Sequence, residues 1–367
     1  MIHREISDRK FQMDSLDGLR GFAVLIVVLS HTSNYGLFFF PYLNFSGIGK
    51  SGVYLFFLLS SFLLTLQLLD KGKQIFTLPV MLHYWQRRVL RIYPLYTIYL
   101  AVGLLSTWGI TVFFGKHGVG IPFSLDWQGF FQQMFLSAGK GVTWSIAVEF
   151  KFYFVLPIFV FVIVLIEKYG LFVTTLFFLL ILSMTQVISP QSASEVNDIR
   201  LLPYMPIFVL GVFLAVIQNY MQRRQVNKAF EKIMKYLGYL GVVGIVVMTP
   251  LIYSAIVNPV PSNYFHKQFI LYALFWSLVL LSSVNVKGML QQFFTLPILR
   301  FFGALSFSLY LFHPVFIEII LRLKMNSYLS AWIVLLAATL AAYVSFVFLE
   351  GPISKYNLLK KNTEGRK

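Results

Sequence analysis

The sequence predicts an all-α, polytopic integral membrane protein of about ten transmembrane helices, with both termini cytoplasmic. Three observations carry this expectation. The chain has 367 residues, 58% hydrophobic and only 12% charged, the balance of a membrane protein rather than a soluble domain. Its apolar residues gather in runs of about twenty, the length that crosses a hydrocarbon core about 30 Å thick. Under a ten-span reading, 22 of the 30 Lys and Arg lie on the side holding the termini and 7 on the other, with Lys151 inside a span. The positive-inside rule assigns the richer side to the cytoplasm.

The net charge of +16 does not point to nucleic acid, because the basic residues cluster in short loops between apolar runs and so report topology. There is no cysteine, which removes disulfides, thiol nucleophiles and cysteine metal sites. No lipidation signal is evident. The first apolar stretch exceeds the length of a signal-peptide core and has no small-residue cleavage site, so it reads as a retained span. Three parts follow: a cytoplasmic segment 1–15, a transmembrane unit 16–350 and a basic cytoplasmic tail 351–367.

In order, the spans are expected at about 16–39, 48–69, 92–114, 144–166, 171–189, 203–219, 236–257, 266–284, 298–321 and 329–349. Pro41, Gly47 and Gly49 punctuate the first loop. Lys71, Lys73, Arg87, Arg88 and Arg91 make the next one basic. The loop 115–143 is the longest and faces outward. Its FFQQMFLSAG segment is too short to span and reads as interfacial or re-entrant. No repeat of period 20–50 is present and no inverted repeat is visible, which weighs against a transporter.

The first span, LDGLRGFAVLIVVLSH, carries the most informative pattern. Arg20 and His31 are eleven residues apart, nearly three helical turns, so they share a face and stand about 16 Å apart along the axis. Asp17, three residues before Arg20, can pair with it. Arg20 then sits at one membrane surface and His31 near the middle, where an ionisable group marks function by default. In the second span Ser60 and Ser61 read first as helix-packing hydroxyls, because no base lies near them in sequence. In RRVLRIYPLY, Arg88 and Arg91 share a face just inside the third span and can grip phosphates by paired hydrogen bonds or simply anchor the span. In TWSIAVEFKFYF, Ser145, Glu149 and Tyr153 form a polar stripe at i, i+4 and i+8, and Trp144 reads as an aromatic-belt residue. Lys151 points to another face and snorkels outward.

His313, followed by Pro314, either lines a cavity or is satisfied by the carbonyl that the proline frees at a helix kink. The other histidines, His3, His83, His117 and His266, fall at loops or span edges. None has metal-ligand spacing, so no metal is expected. Glu350 reads as a helix-end anchor.

These segments together resemble the acyltransferase-3 family, membrane enzymes of bacteria that O-acylate envelope sugars, exopolysaccharides, nodulation factors and some antibiotics. The resemblance rests on LDGLRG with Arg20 and His31, GVYLFFLLSSFL, RRVLRIYPLY, WSIAVEFKFY, GALSFSLYLFHPV and the LEGP at Leu349 to Pro352. It implies an acyl-CoA donor, usually acetyl-CoA in the family, and no permanently bound cofactor. It implies that Arg20, Arg88 and Arg91 hold the donor at the cytoplasmic face of a bacterial inner membrane. His31 is then the base or a transient acyl carrier, and Glu149 orients the acceptor or shares proton transfer. Trp144, Ser145 and Tyr153 are expected at the acceptor, a glycan or glycolipid. The chain departs from the family at Tyr54, where many relatives have aspartate, and at Ser61, where they have glycine. Some relatives continue into an extracellular esterase-like domain; a chain ending after the tenth span completes transfer itself or hands the acyl group to another protein. A transporter or flippase for a lipid-linked sugar is the alternative reading.

Overall fold

The structure, a computed structural model, describes residues 2–115, 120, 122–222, 228–256 and 267–355. The expectations for His117, His266, the side chain of His3 and residues 356–367 of the tail fall outside what is described. Helix is the regular structure of the described residues, with no strand among them.

The first helix, α1, runs unbroken from Ile2 to Asn34. Helix α2 is Gly49–Leu69. Helix α3 is Leu78–Phe114, 37 residues long. It starts well before residue 92 because proline in its first turn needs no hydrogen-bond acceptor, and it ends at Gly115, whose φ of 62° suits a residue without a Cβ. At 1.5 Å per residue it is about 55 Å long, so one end overhangs a 30 Å core. Helix α4, Trp127–Met134, is a short helix within the long loop 115–143, capped by Asp126 accepting from the Gly129 amide at 2.7 Å.

Then follow α5 (Thr143–Ile166), α6 (Leu171–Ile188), α7 (Met205–Gln222), α8 (Lys228–Val247) and α9 (Pro250–Ile256). Next come α10 (Phe269–Asn285), α11 (Met289–Phe294), α12 (Pro297–Ala304), α13 (Ser306–Arg322) and α14 (Ser327–Ser345). A π turn over Phe346–Glu350 leads into α15, Gly351–Lys355. Among the described residues six helices are long and apolar enough to cross a membrane, or seven if α12 and α13 count as one bent span.

The expected single span at 298–321 is in fact two helices bent by 78°. The break lies at Leu305, between α12 and α13, and not at Pro314, which sits inside α13. Packing places it there: a Cβ on Gly303 of α12 would overlap the Asp17 carbonyl of α1, so α12 lies tight across α1 before the chain turns. The contact is reciprocal. Side chains at Gly18 and Gly21 would overlap the carbonyls of Phe294 and Leu299. The two glycines of LDGLRG are therefore a close-approach seam, and an ion pair between Asp14 and Arg300 at 2.6 Å lies beside it.

Helices α1 and α2 are central. Leu19, Ala23 and Val27 of α1 and Leu55, Leu58 and Phe62 of α2 are fully buried, at the three- and four-residue spacing of a packed helix face. At the periphery, α6 and α14 leave Phe172, Leu180, Leu336 and Leu340 exposed, an apolar surface suited to lipid.

The two departures from the family pattern have structural counterparts. Tyr54 is fully buried within an aromatic group formed with Tyr204, Phe269 and Tyr272. Ser61 returns its hydroxyl to the Phe57 and Leu58 carbonyls, 3.0 Å each. A Cβ on Gly211 of α7 would collide with that hydroxyl. The small residue that lets α2 and α7 meet is thus on α7.

Candidate active site

Two cavities flank the middle of the bundle. The first, about 200 Å³, is lined by Asp17 and Arg20 of α1, Arg88 and Arg91 of α3, and Glu149 and Tyr153 of α5. The second, about 650 Å³, is lined by His31, Lys50, Trp144, Asn197 and Glu318 among others. Val53 and Tyr310 line both, so these two side chains stand where the cavities meet.

The arginine cavity gathers residues far apart in sequence. Asp17 and Arg20 pair across one turn at 3.7 Å. Arg88 stands over the Tyr153 ring at 5.9 Å, and its Nε is buried without a hydrogen-bond partner. Tyr153 donates to Glu149 Oε1 at 2.6 Å and lies 3.3 Å from the Ser60 hydroxyl. The Tyr84 hydroxyl donates to the Tyr153 carbonyl at 3.0 Å, fixing α3 against α5. Just beyond LEGP, the Ser354 carbonyl accepts from Arg87 at 2.9 Å, tying α15 to α3. Three guanidiniums thus face two carboxylates, a net positive recess suited to phosphate oxygens.

At the other cavity, His31 Nδ1 and His313 Nε2 are 2.8 Å apart, and His313 Nδ1 is 3.0 Å from the Leu309 carbonyl. A carbonyl only accepts, so with both rings neutral the proton assignment follows. His313 carries hydrogen on Nδ1 and accepts through Nε2; His31 donates from Nδ1 and keeps a lone pair on Nε2. His313 is fully buried, whereas His31 is half-buried and lines the cavity. A base held in one tautomer by a second group is the arrangement general-base chemistry needs. Helix α2 packs on the same turn: a Cβ at Gly49 would stand 3.0 Å from Ser30 and 3.7 Å from the His31 ring.

Tyr310 joins the two halves. Its hydroxyl is 2.7 Å from Ser145 Oγ and donates to the Val142 carbonyl at 3.1 Å. The polar stripe of α5 is present as spaced, with Ser145, Glu149 and Tyr153 on one face. That face opens to the arginine cavity, so Glu149 stands with Arg20, Arg88 and Arg91 and lines a different cavity from His31. Trp144 lines the His31 cavity. It is buried, in edge contact with Phe57 and tilted against Tyr204, rather than a belt residue at the membrane surface. The Lys151 ammonium donates to the Ile199 carbonyl at 2.8 Å, tying α5 to the loop 190–202.

That loop and the long loop 115–143 both reach the His31 cavity, through Val196 and Asn197 and through Gly141 and Val142. Outside the spans, Arg200 is held above its ordinary pKa by the adjacent Asp198 carboxylate. Lys50, Asn197 and Tyr310 were not among the sequence candidates. Lys50 had a readable signal, a lone cation at the start of an apolar run; Asn197 and Tyr310 had none. His313 combines the two readings open to it, bonded to a backbone carbonyl and facing the cavity residue. No group of His, Asp and Glu among the described residues could hold a metal ion.

Comparison with known proteins bears on this arrangement. The O-acetyltransferase OatA of Staphylococcus aureus (strain NCTC 8325 / PS 47) is 24% identical over 365 residues, covering 94% of this chain. Proteins of the same name from strains COL and MRSA252 match equally. The alignment spans 57% of the length of these relatives. No solved structure matches. The acyltransferase-3 family, described as an acyltransferase domain, matches residues 13–350, a range that contains α1 from the Arg20 seam through His313 to the π turn at Glu350. With its several apolar membrane-type helices, the chain belongs to the acyltransferase-3 family.

Proposed function

We propose that this protein is a membrane O-acetyltransferase that moves an acetyl group from cytoplasmic acetyl-CoA to a hydroxyl of a cell-envelope glycan or glycolipid in a bacterial inner membrane. The observation that carries the reading is the pair of adjoining cavities, a guanidinium-rich one and one containing the tautomer-fixed His31, meeting at Val53 and Tyr310. In this reading the chain crosses the membrane ten times with both termini cytoplasmic, which the basic-residue asymmetry supports. The names of the relatives support O-acetyl transfer.

Arg20, Arg88 and Arg91 hold the phosphates of the donor, and the pantetheine arm runs past Val53 and Tyr310 toward His31. His31 Nε2 takes the proton from the acceptor hydroxyl as its oxygen attacks the thioester carbonyl. The coenzyme A sulfur leaves with that proton, and His313 keeps the His31 ring oriented throughout. Glu149, bonded to Tyr153 among the arginines, organises the donor side. Ser145 supports the Tyr310 hydroxyl at the junction, and Trp144 forms a wall of the acceptor cavity.

The test is transfer from radiolabelled acetyl-CoA into envelope glycans in inside-out vesicles, with wild type and His31→Ala at matched protein levels. Label incorporated by the wild type and lost in the variant is expected. Equal incorporation by both sinks the His31 role, and no binding or turnover of acetyl-CoA by the wild type would favour a transporter.

A further inference from the structure

The His31 cavity holds one positive charge that the chemistry above does not use. Lys50, in the first turn of α2, reaches into it beside the imidazole. Its ammonium stands 4.1 Å from the centre of the Trp144 ring and donates to Asn197 Oδ1. Both partners are neutral. The nearby carboxylates are already engaged: Glu318, which lines the same cavity, pairs with Arg322 at 2.7 Å, and Asp198, next to Asn197, pairs with Arg200 at 2.6 Å. Among the described residues no carboxylate lies within ion-pair distance of Lys50.

The position is built rather than incidental. Asn197 adopts a left-handed backbone, φ 60°, a conformation asparagine enters more readily than most non-glycine residues, and in that conformation its side-chain oxygen meets Lys50. The Trp144 face fixes the other side of the ammonium through a cation–π contact. A lysine normally sweeps through many rotamers; here the half-buried side chain is held at one place against the wall of the cavity. A fixed cation in such a recess, without a counter-charge, is stabilised strongly by an incoming anion and gains little from a neutral ligand.

Resting on the reading that this cavity receives the acceptor, we infer that the acceptor carries a negative charge, a carboxylate or phosphate, bound by Lys50 while a neighbouring hydroxyl meets His31. The anion can belong to an acidic sugar or to the pyrophosphate of a lipid-linked glycan. Glu318, neutralised by Arg322, does not oppose it.

The test uses the full-length protein in native membranes lacking the endogenous copy, complemented with wild type, Lys50→Met or Lys50→Arg at matched levels and given radiolabelled acetyl-CoA. Labelled glycan is run on an anion exchanger before and after mild acid, which cleaves a lipid pyrophosphate but leaves a uronate-type carboxylate. Wild-type label should be retained by the exchanger before acid. Retention after acid identifies an acidic sugar, and loss identifies the pyrophosphate. Lys50→Met should cut incorporation by about tenfold or more, with Lys50→Arg keeping most of it, because a cation-anion hydrogen bond is lost in one and kept in the other. Acetyl-CoA binding to the purified Lys50→Met protein, matching wild type, shows that the fold and the donor site are intact. Neutral label before acid, or undiminished incorporation by Lys50→Met, overturns the inference. Absence of acetyl-CoA binding and of label in the wild type instead overturns the acetyltransferase reading on which it rests.

Discussion

Replacing His313 with alanine separates a histidine that positions the base from one that merely fills space. His31 Nδ1 has His313 Nε2 as its partner at 2.8 Å, and the Leu309 carbonyl at 3.0 Å fixes which nitrogen of His313 can accept. The alanine variant leaves the His31 Nδ1 hydrogen without an acceptor in a largely apolar setting. An unpaired buried donor costs about 1–3 kcal/mol, which is roughly a five- to 150-fold loss of the productive tautomer and orientation. The expected result in the vesicle assay is a fall in kcat of that size. KM for acetyl-CoA should stay near the wild-type value, because the arginines line the other cavity. Glutamine restores much of the rate: its amide oxygen can accept from His31 while its NH2 donates to the Leu309 carbonyl. A purely structural histidine would move thermal stability and both kinetic constants together, without a preference for glutamine. Wild-type kcat in His313→Ala, or a glutamine variant no better than alanine, refutes the positioning role.

Two further outcomes follow from the same geometry. Arg88→Lys keeps the charge but loses the planar fork whose Nε is unpartnered toward the arginine cavity; KM for acetyl-CoA should rise about tenfold with kcat little changed, as read from initial rates against donor concentration. Gly211→Ala forces a Cβ against the Ser61 hydroxyl and the Leu58 carbonyl, destabilising the α2–α7 contact by about 1–3 kcal/mol. A lower Tm in detergent is expected, partly recovered by adding Ser61→Gly, which removes one of the two obstacles; no recovery would place the strain elsewhere.

The helical, membrane-type character of this chain is written in its composition and in the length of its apolar runs, because a bilayer imposes both on any spanning segment. Local spacing was equally informative. The shared face of Arg20 and His31 and the stripe Ser145, Glu149, Tyr153 follow from helix geometry alone, and all of these residues line the two cavities. What spacing could not supply was the pairing between helices. That His31 meets His313, 282 positions away, and that span nine breaks at Leu305 depend on how α1 docks on α12 and α13, while Glu149 joins the arginines rather than His31 through the meeting of α5 with α1 and α3 around one cavity. That docking is set by backbone contact at Gly18, Gly21 and Gly303. A glycine in a sequence shows only that a side chain is missing, whereas the carbonyl that fills the vacated space belongs to another helix. The same holds for Lys50: the sequence shows a lone cation at the head of an apolar run, and only the fold shows that Glu318 and Asp198 each already pair with an arginine.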